Sequence, residues 1–513
     1  MDQSYRNMKA HASFDLDKYE PMSVVYQLRG SILRRLREGR EVLPEIDGRA
    51  ETKADVIRAL LSGAHPYLVS EEGTGKTRLA RSLTGLLPAI PVIAGCPYHD
   101  DPKWPRDLLC PRCAASSDPV KDFGIDFVPG SKRFSRIQGN EYTNEAKLLG
   151  LKDIQAIAHG KSPQDPEVFT GTGVFKANRG ILFVDEMPAI RTKVQVLFHP
   201  ILEEKKAILE EYNWEHPLDL ILVATGNPKG FSHVNEIPRP LLDRLEMIYM
   251  ELPEEVVEQE IVLKETFRVG RKSGDFSEIE DVVYPSMEEI ERTAAAPWWI
   301  MEIVTRSVRY SRTCPYVENK ASIRATNRSL EHTYASVELE NGKAANLRHA
   351  YYGLRLALRG RLEPRADIVD FDDPQKAVRT TDSLVADFMW NVIEDIKNDW
   401  TFLNGIDWQK LGQELASAVA SGIVAKPRLP DGALFNYPAL GKAIDTLYKA
   451  APDRINAELI SDSERRLYRG EDGLLREESN YSAFETLANV AIHKSAFDAA
   501  KAGNLFVAQK YKN

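Results

Sequence analysis

Cysteine is scarce, with 4 in 513 residues, too few for the disulfide framework of a small secreted fold. No stretch of 18 apolar residues occurs, so no membrane-spanning helix is expected. The opening Met1-Asp2-Gln3-Ser4-Tyr5-Arg6 has no apolar core of a signal peptide, and the expected location is the cytoplasm, without membrane contact. Positive charge is not in excess: 67 Lys and Arg against 76 Asp and Glu leave a net charge of −9. Such a chain has no global electrostatic footprint for nucleic acid, and contact with DNA or RNA would need a local basic stripe. Fixed-period repeats and low-complexity tracts are absent. With 43% hydrophobic and 28% charged residues the composition is that of an ordinary globular protein, for which a protein partner is the plain expectation.

At roughly 150 residues per domain the length suggests three or four structural units. A polar start gives way to apolar residues at Val25, Leu28, Ile32, Leu33 and Leu36, the 3.6-residue rhythm of an amphipathic helix. Pro44 and Gly48 break it, a second helical pattern covers 53–62, and the run 65–69 reads as a buried strand. Further strand patterns at 90–94, 181–185, 218–225 and 247–252 alternate with helical or inserted segments, which predicts a mainly parallel α/β sheet. After Pro253 the texture becomes helical, at 254–268, 287–296, 300–312, 323–340 and 347–359, with Trp298-Trp299 as core. The expected organisation is a helical lead-in at 1–50, a nucleotide-binding core at 51–253, a helical lid at 254–364 and a mainly helical extension at 365–513. In that extension helices are expected at 386–397, 408–421, 440–451 and 484–501, without assigned chemistry.

The strand at 65–69 runs into Ser70-Glu71-Glu72-Gly73-Thr74-Gly75-Lys76-Thr77 and then a helical pattern over 78–87. Glycines at 73 and 75 let the backbone approach phosphates, and consecutive N–H groups, Thr74 included, face the anion. Lys76 reaches the β and γ positions, and the Thr77 hydroxyl is placed for Mg²⁺. Ser70 stands where the first glycine of such loops is usual. The apolar run 181–184 ends in Asp185-Glu186, two carboxylates at the carboxyl edge of a buried strand, where open α/β sheets bind ligands. Asp185 would hold Mg²⁺ through water and Glu186 would polarise an attacking water. A third strand ends in Gly226-Asn227-Pro228; an Asn there can orient the water, although Asn-Pro is also an ordinary turn. In Leu241-Leu242-Asp243-Arg244, the arginine either crosses a subunit interface to neutralise transition-state charge or pairs locally with Asp243 or Glu246.

In this order the motifs resemble the AAA+ ATPases. More narrowly, the segments 72–77, 176–186 and 241–244 resemble the ATPase (I) subunit of magnesium chelatase and its MoxR-like relatives, over roughly residues 25–362. The resemblance implies a P-loop parallel-sheet core followed by a helical lid, with ATP and Mg²⁺ as ligands. It implies an arginine finger at Arg244 and a nucleotide-sensing arginine at Arg324, which opens a lid helix. An insert in the second core helix, at about 145–175, and a hexameric ring with ATP between subunits also follow from it. The chain departs from that family in about 150 residues after the lid and in a cysteine cluster within the core.

That cluster, Cys96-Pro97-Tyr98-His99 and Cys110-Pro111-Arg112-Cys113, forms two hooks in an insert at about 95–115. Each hook presents two ligands from one turn, and together they make the Cys₃His set of a structural Zn²⁺ site. Free thiols and an iron–sulfur cluster are the alternatives. Around it, Trp104, Arg106, Lys121, Lys132, Arg133 and Arg136 are interleaved with Asp100, Asp101, Asp107, Asp118 and Asp122, the pattern of a solvated rim. Arg348, Arg355 and Arg359 share one helical face and line a ring or remain solvated. The function expected is Mg²⁺-assisted ATP hydrolysis by a ring motor that remodels a partner protein or complex. The alternatives are the motor of a true magnesium chelatase, inserting Mg²⁺ into a porphyrin, and a nucleic-acid-stimulated ATPase.

Overall fold

Five short, mostly apolar runs pair side by side in the same direction to form the central sheet of the computed structural model. They are β1 (His65–Val69), β2 (Phe134–Gln138), β3 (Gly180–Asp185), β4 (Leu220–Gly226) and β5 (Leu245–Tyr249), ordered β5-β1-β4-β3-β2 and all parallel. The structure describes residues 14–70, 74–227, 235–251, 257, 282–369, 374–454, 460–469 and 473–511. The helix expected at 254–268 lies outside them, apart from residue 257. Contact density divides the chain into two compact units, 1–290 and 291–513.

In the first unit, β3 and β4 are buried along their whole length. That is why they read as unbroken apolar runs: both faces of a parallel sheet are covered. The strand pattern at 90–94 forms a strand, but not in this sheet. Ile90–Ile93 pairs antiparallel with Ile125–Val128 as a separate two-stranded ribbon. The sheet position beside β3 belongs to β2, whose sequence Phe-Ser-Arg-Ile-Gln buries Ser135 and Ile137 while Arg136 and Gln138 face out. An edge strand needs only one apolar face, so β2 carries polar residues that mask it in the sequence. Among the described residues, Val24–Arg37 and Ala50–Leu61 are the helices that precede β1. The solvated rim expected at 100–136 holds for Arg106, Asp107, Asp118, Lys121, Asp122, Lys132 and Arg136, which are exposed, but Arg133, Asp100 and Asp101 are fully buried. Arg133 donates to Arg179 O, Pro88 O and Gln27 Oε1 at 2.6–2.7 Å, the hydrogen bonding a buried guanidinium requires.

The second unit is helical, with Trp298–Tyr310, Ile323–Leu339, Leu347–Leu358, Pro374–Asp399, Trp408–Ala420, Pro438–Lys449 and Gly473–His493 around one hydrophobic core. Trp298 and Trp299 lie at its centre, as the sequence predicts. The indole N–H of Trp298 donates to Leu447 O at 2.9 Å, and its ring meets Trp400 at 4.9 Å. Trp299 Nε1 donates to Ser482 Oγ at 3.0 Å, so residues on both sides of position 364 share this core. The helix expected at 287–296 ends at Ile290, and a two-residue strand, Glu363–Pro364, pairs with Val317–Asn319. The shared arginine face at 348–359 is not open to solvent throughout: Arg355 and Arg359 are buried, and Arg359 forms an ion pair with Asp382. Among the described residues no helix is long and apolar enough to cross a membrane.

Candidate nucleotide-binding site

Because every strand of the sheet is parallel, the residues that follow β1, β2, β3 and β4 gather along one edge, where ligands of open α/β sheets bind. Gly75, at φ +87°, turns the chain left-handed into the helix Lys76–Ser82, a conformation that costs glycine nothing. Glu71, Glu72 and Gly73 lie outside the described residues. Ser70, in place of a glycine, is fully buried and its hydroxyl lies 2.6 Å from Thr74 Oγ1, so the side chain ties the loop to itself. Lys76 Nζ donates to Ser70 O at 2.8 Å and to Asn227 Oδ1 at 3.0 Å, with Gly226 O at 3.4 Å. The first and third motifs therefore meet at one amine. Thr77 occupies the first turn of that helix, half-buried.

Asp185 ends β3 and is buried, and Glu186 follows it in a left-handed conformation at φ 54°. Such backbone in a non-glycine residue persists only where its surroundings hold it. Here Glu186 N donates to Thr225 Oγ1 at 2.9 Å, while the same hydroxyl donates to Asp185 Oδ1 at 2.8 Å. From the other side, Arg136 Nη2 lies 2.5 Å from Asp185 Oδ2, and Gln138 Nε2 reaches Glu186 Oε2 at 3.4 Å. Gly139 passes so close that a β-carbon would stand 2.2 Å from Glu186 O. Thr225, Arg136 and Gln138 escape a reading of the sequence. Only the strand register, Ala224 beside Val184 and Gln138 beside Asp185, brings them to the carboxylates.

Arg244 stands elsewhere. It immediately precedes β5, whose pairing sets Leu245 beside His65 and Tyr249 beside Val69, so it lies at the amino edge of the sheet. A five-residue strand, about 16 Å long, separates it from the level of the phosphate loop. Its Nε donates to Glu203 Oε2 at 2.9 Å and its Nη1 to Pro240 O, so the local partner is Glu203 and not the neighbouring acids. Arg324 opens the helix Ile323–Leu339 in the second unit, with its N–H bonded to the Ser322 cap.

An oxygen set made of a threonine hydroxyl and an aspartate suits Mg²⁺, a hard cation that keeps most of its waters. A lysine held by neutral oxygens beside a left-handed glycine turn suits a phosphate chain. Residues 130–245 match the AAA domain (dynein-related subfamily). The chain thus resembles the AAA+ ATPases and, among them, the I subunit of magnesium chelatase. The chain is 27% identical over 208 residues to the magnesium-chelatase 38 kDa subunit of Acidiphilium rubrum, covering 37% of this chain and 54% of that one. It is 31% identical over 183 residues to subunit ChlI of Anabaena variabilis, covering 35% and 50%, and 30% identical over 221 residues to ChlI of Chlorella vulgaris, covering 41% and 58%. It thus spans about half the length of the curated relatives it matches.

The cysteine hooks also meet, though not with the expected fourth ligand. Cys96, Cys110, Cys113 and Asp100 are all buried, and one ligand atom from each lies within 4.8 Å of the others. His99 is not in the group: at φ 58° its ring turns away and Nδ1 lies 3.0 Å from Asn178 O. The thiols of Cys110 and Cys113 hydrogen-bond to Cys96 and hold it far below the usual thiol range. Burial, then the Cys96 charge, raises Asp100 to about 7, and burial lowers His216 to about 4.

Proposed function

We propose that the chain is an ATP-hydrolysing AAA+ motor, with residues 51–253 as its nucleotide-binding core. In this reading it assembles as a homo-oligomeric ring, a hexamer in the MoxR and chelatase-I manner, and remodels a partner protein or complex in the cytoplasm. The observation that carries the reading is the meeting of Lys76, Asn227, Asp185 and Glu186 at one sheet edge with Arg244 at the other. Thr77 and Asp185 would hold Mg²⁺, which screens the charge of the phosphates and of the leaving oxygen. Lys76 neutralises the β and γ phosphates, while Gly73, Thr74 and Gly75 offer backbone donors to them. Glu186 accepts a proton from water, and Asn227 orients that water. Because Arg244 is a strand length from the phosphate loop of its own chain, it serves the site of a neighbouring subunit. Arg324 reports nucleotide state to the helical unit.

Mixing two inactive variants tests the shared site. Glu186→Gln lacks the base and Arg244→Ala lacks the finger, and a mixed ring contains some interfaces with both groups intact. Partial recovery of ATP turnover in the mixture is the expected result. Oligomers that form but stay inactive in every ratio would overturn the arginine's role across the interface.

A further inference from the structure

Three thiols and a carboxyl crowd into one buried volume beneath the sheet's amino edge. Cys96 Sγ lies 3.8 Å from Cys110 Sγ. Around a tetrahedral Zn²⁺ with Zn–S bonds of about 2.3 Å, the sulfur–sulfur edge is about 3.8 Å. In a [4Fe–4S] cluster each thiolate binds a different iron, and the sulfurs stand farther apart. Asp100 Oδ2 accepts the Cys110 N–H at 2.7 Å, which leaves Oδ1 buried and without a hydrogen-bond partner. A carboxylate oxygen removed from water and unpaired is costly unless a cation takes it. The nearest ring nitrogen is His216 Nε2, 3.6 Å away, and both side chains are fully buried. Asp100 N donates to Cys96 Sγ at 3.4 Å, the kind of amide support that thiolate ligands receive.

We propose that this group is a structural zinc site in which Cys96, Cys110, Cys113 and Asp100 bind the ion, with His216 orienting the carboxylate from behind. The four ligands close the tetrahedron, and no open position remains for substrate. The site's purpose is legible in what grips it. Asn178 Nδ2 donates to Tyr98 O at 2.8 Å, and Arg179 Nη1 donates to His99 O at 3.1 Å. Arg179 Nη2 also pairs with Asp101 Oδ2 at 2.6 Å, both side chains buried. Asn178 and Arg179 are the two residues before β3, the strand whose far end carries Asp185 and Glu186. The zinc loop therefore anchors the start of the strand that presents the two carboxylates. Binding displaces the thiol protons, so the metal also fixes the loop's charge.

The test is metal stoichiometry on the purified full chain, with a cobalt(II) titration of the same chain after chelation. One zinc per chain is expected. Cobalt should give a thiolate charge-transfer band and the intense visible bands of a tetrahedral site. His99→Ala should keep the metal, whereas Asp100→Ala and Cys110→Ser should lose it, and His216→Ala should weaken binding about 10–100-fold. The wild-type stoichiometry and cobalt spectrum stand even if a variant fails to fold. A zinc-free wild type with no cobalt bands would overturn the site, and so would iron with sulfide. Loss of metal in His99→Ala or in His216→Ala, with Asp100→Ala still loaded, would overturn the donor set.

Discussion

The Thr225 hydroxyl bridges the two carboxylate residues of the neighbouring strand, donating to Asp185 Oδ1 at 2.8 Å and accepting Glu186 N–H at 2.9 Å. One small side chain thereby sets the direction of Asp185 and the left-handed backbone of Glu186. Thr225→Val keeps the shape and removes both bonds. Leaving such donors and acceptors unpaired costs about 1–3 kcal/mol, and in a positioning role this translates to a roughly 10–100-fold fall in ATP turnover. Thr225→Ser should restore most of it, with nucleotide affinity little changed in both, as measured by titration with a fluorescent ATP analogue.

Arg136 competes for the other oxygen of Asp185. The pair is 2.5 Å long, but the arginine side chain is 43% exposed, so the attraction is screened and amounts to about 1 kcal/mol at most. Arg136→Ala is therefore expected to tighten the apparent Mg²⁺ affinity by up to about fivefold, read from the Mg²⁺ dependence of ATP turnover. An unchanged Mg²⁺ curve would mean that the ion pair has no bearing on the metal.

Arg244 is tethered to Glu203 in its own chain, at 2.9 Å, with Glu203 48% exposed. Glu203→Gln removes the charge at a stability cost below about 1 kcal/mol. Releasing the arginine should raise turnover in the assembled oligomer by a few-fold and leave the dilute, dissociated chain unaffected. Activity measured across protein concentration separates the two.

Trp299 is fully buried in the helical unit and bonded to Ser482. Trp299→Ala is expected to cost about 3–5 kcal/mol through lost contacts and an unfilled cavity. The loss should appear in calorimetry as a lowered transition for residues 291–513. Trp299→Phe, which loses the N–H and part of the volume, should cost less.

Much of this is legible in the sequence where burial is two-sided. β3 and β4 announce themselves as apolar runs because both faces are covered, and the loop at 70–77 carries its own residue pattern. β2 is not legible: as an edge strand with Arg136 and Gln138 outward, it resembles a polar loop, and with it two side chains that reach Asp185 and Glu186 are hidden. The antiparallel ribbon at 90–93 is a strand with the wrong neighbour, since composition marks a strand but not its partner. At the cysteine hooks, spacing points to His99. Its backbone turns the ring toward Asn178 and brings Asp100, the next residue, to the sulfurs. A one-residue choice of this kind depends on local backbone direction, which spacing alone does not encode.

The most direct measurement pairs ATP binding with steady-state phosphate release for the wild-type chain and Glu186→Gln. Glu186→Gln should bind ATP as tightly as wild type and release phosphate at least about 100-fold more slowly, as expected when a positioned general base is removed. Equal turnover in the two proteins, or loss of ATP binding in Glu186→Gln, would contradict the assignment of this sheet edge as the hydrolytic site.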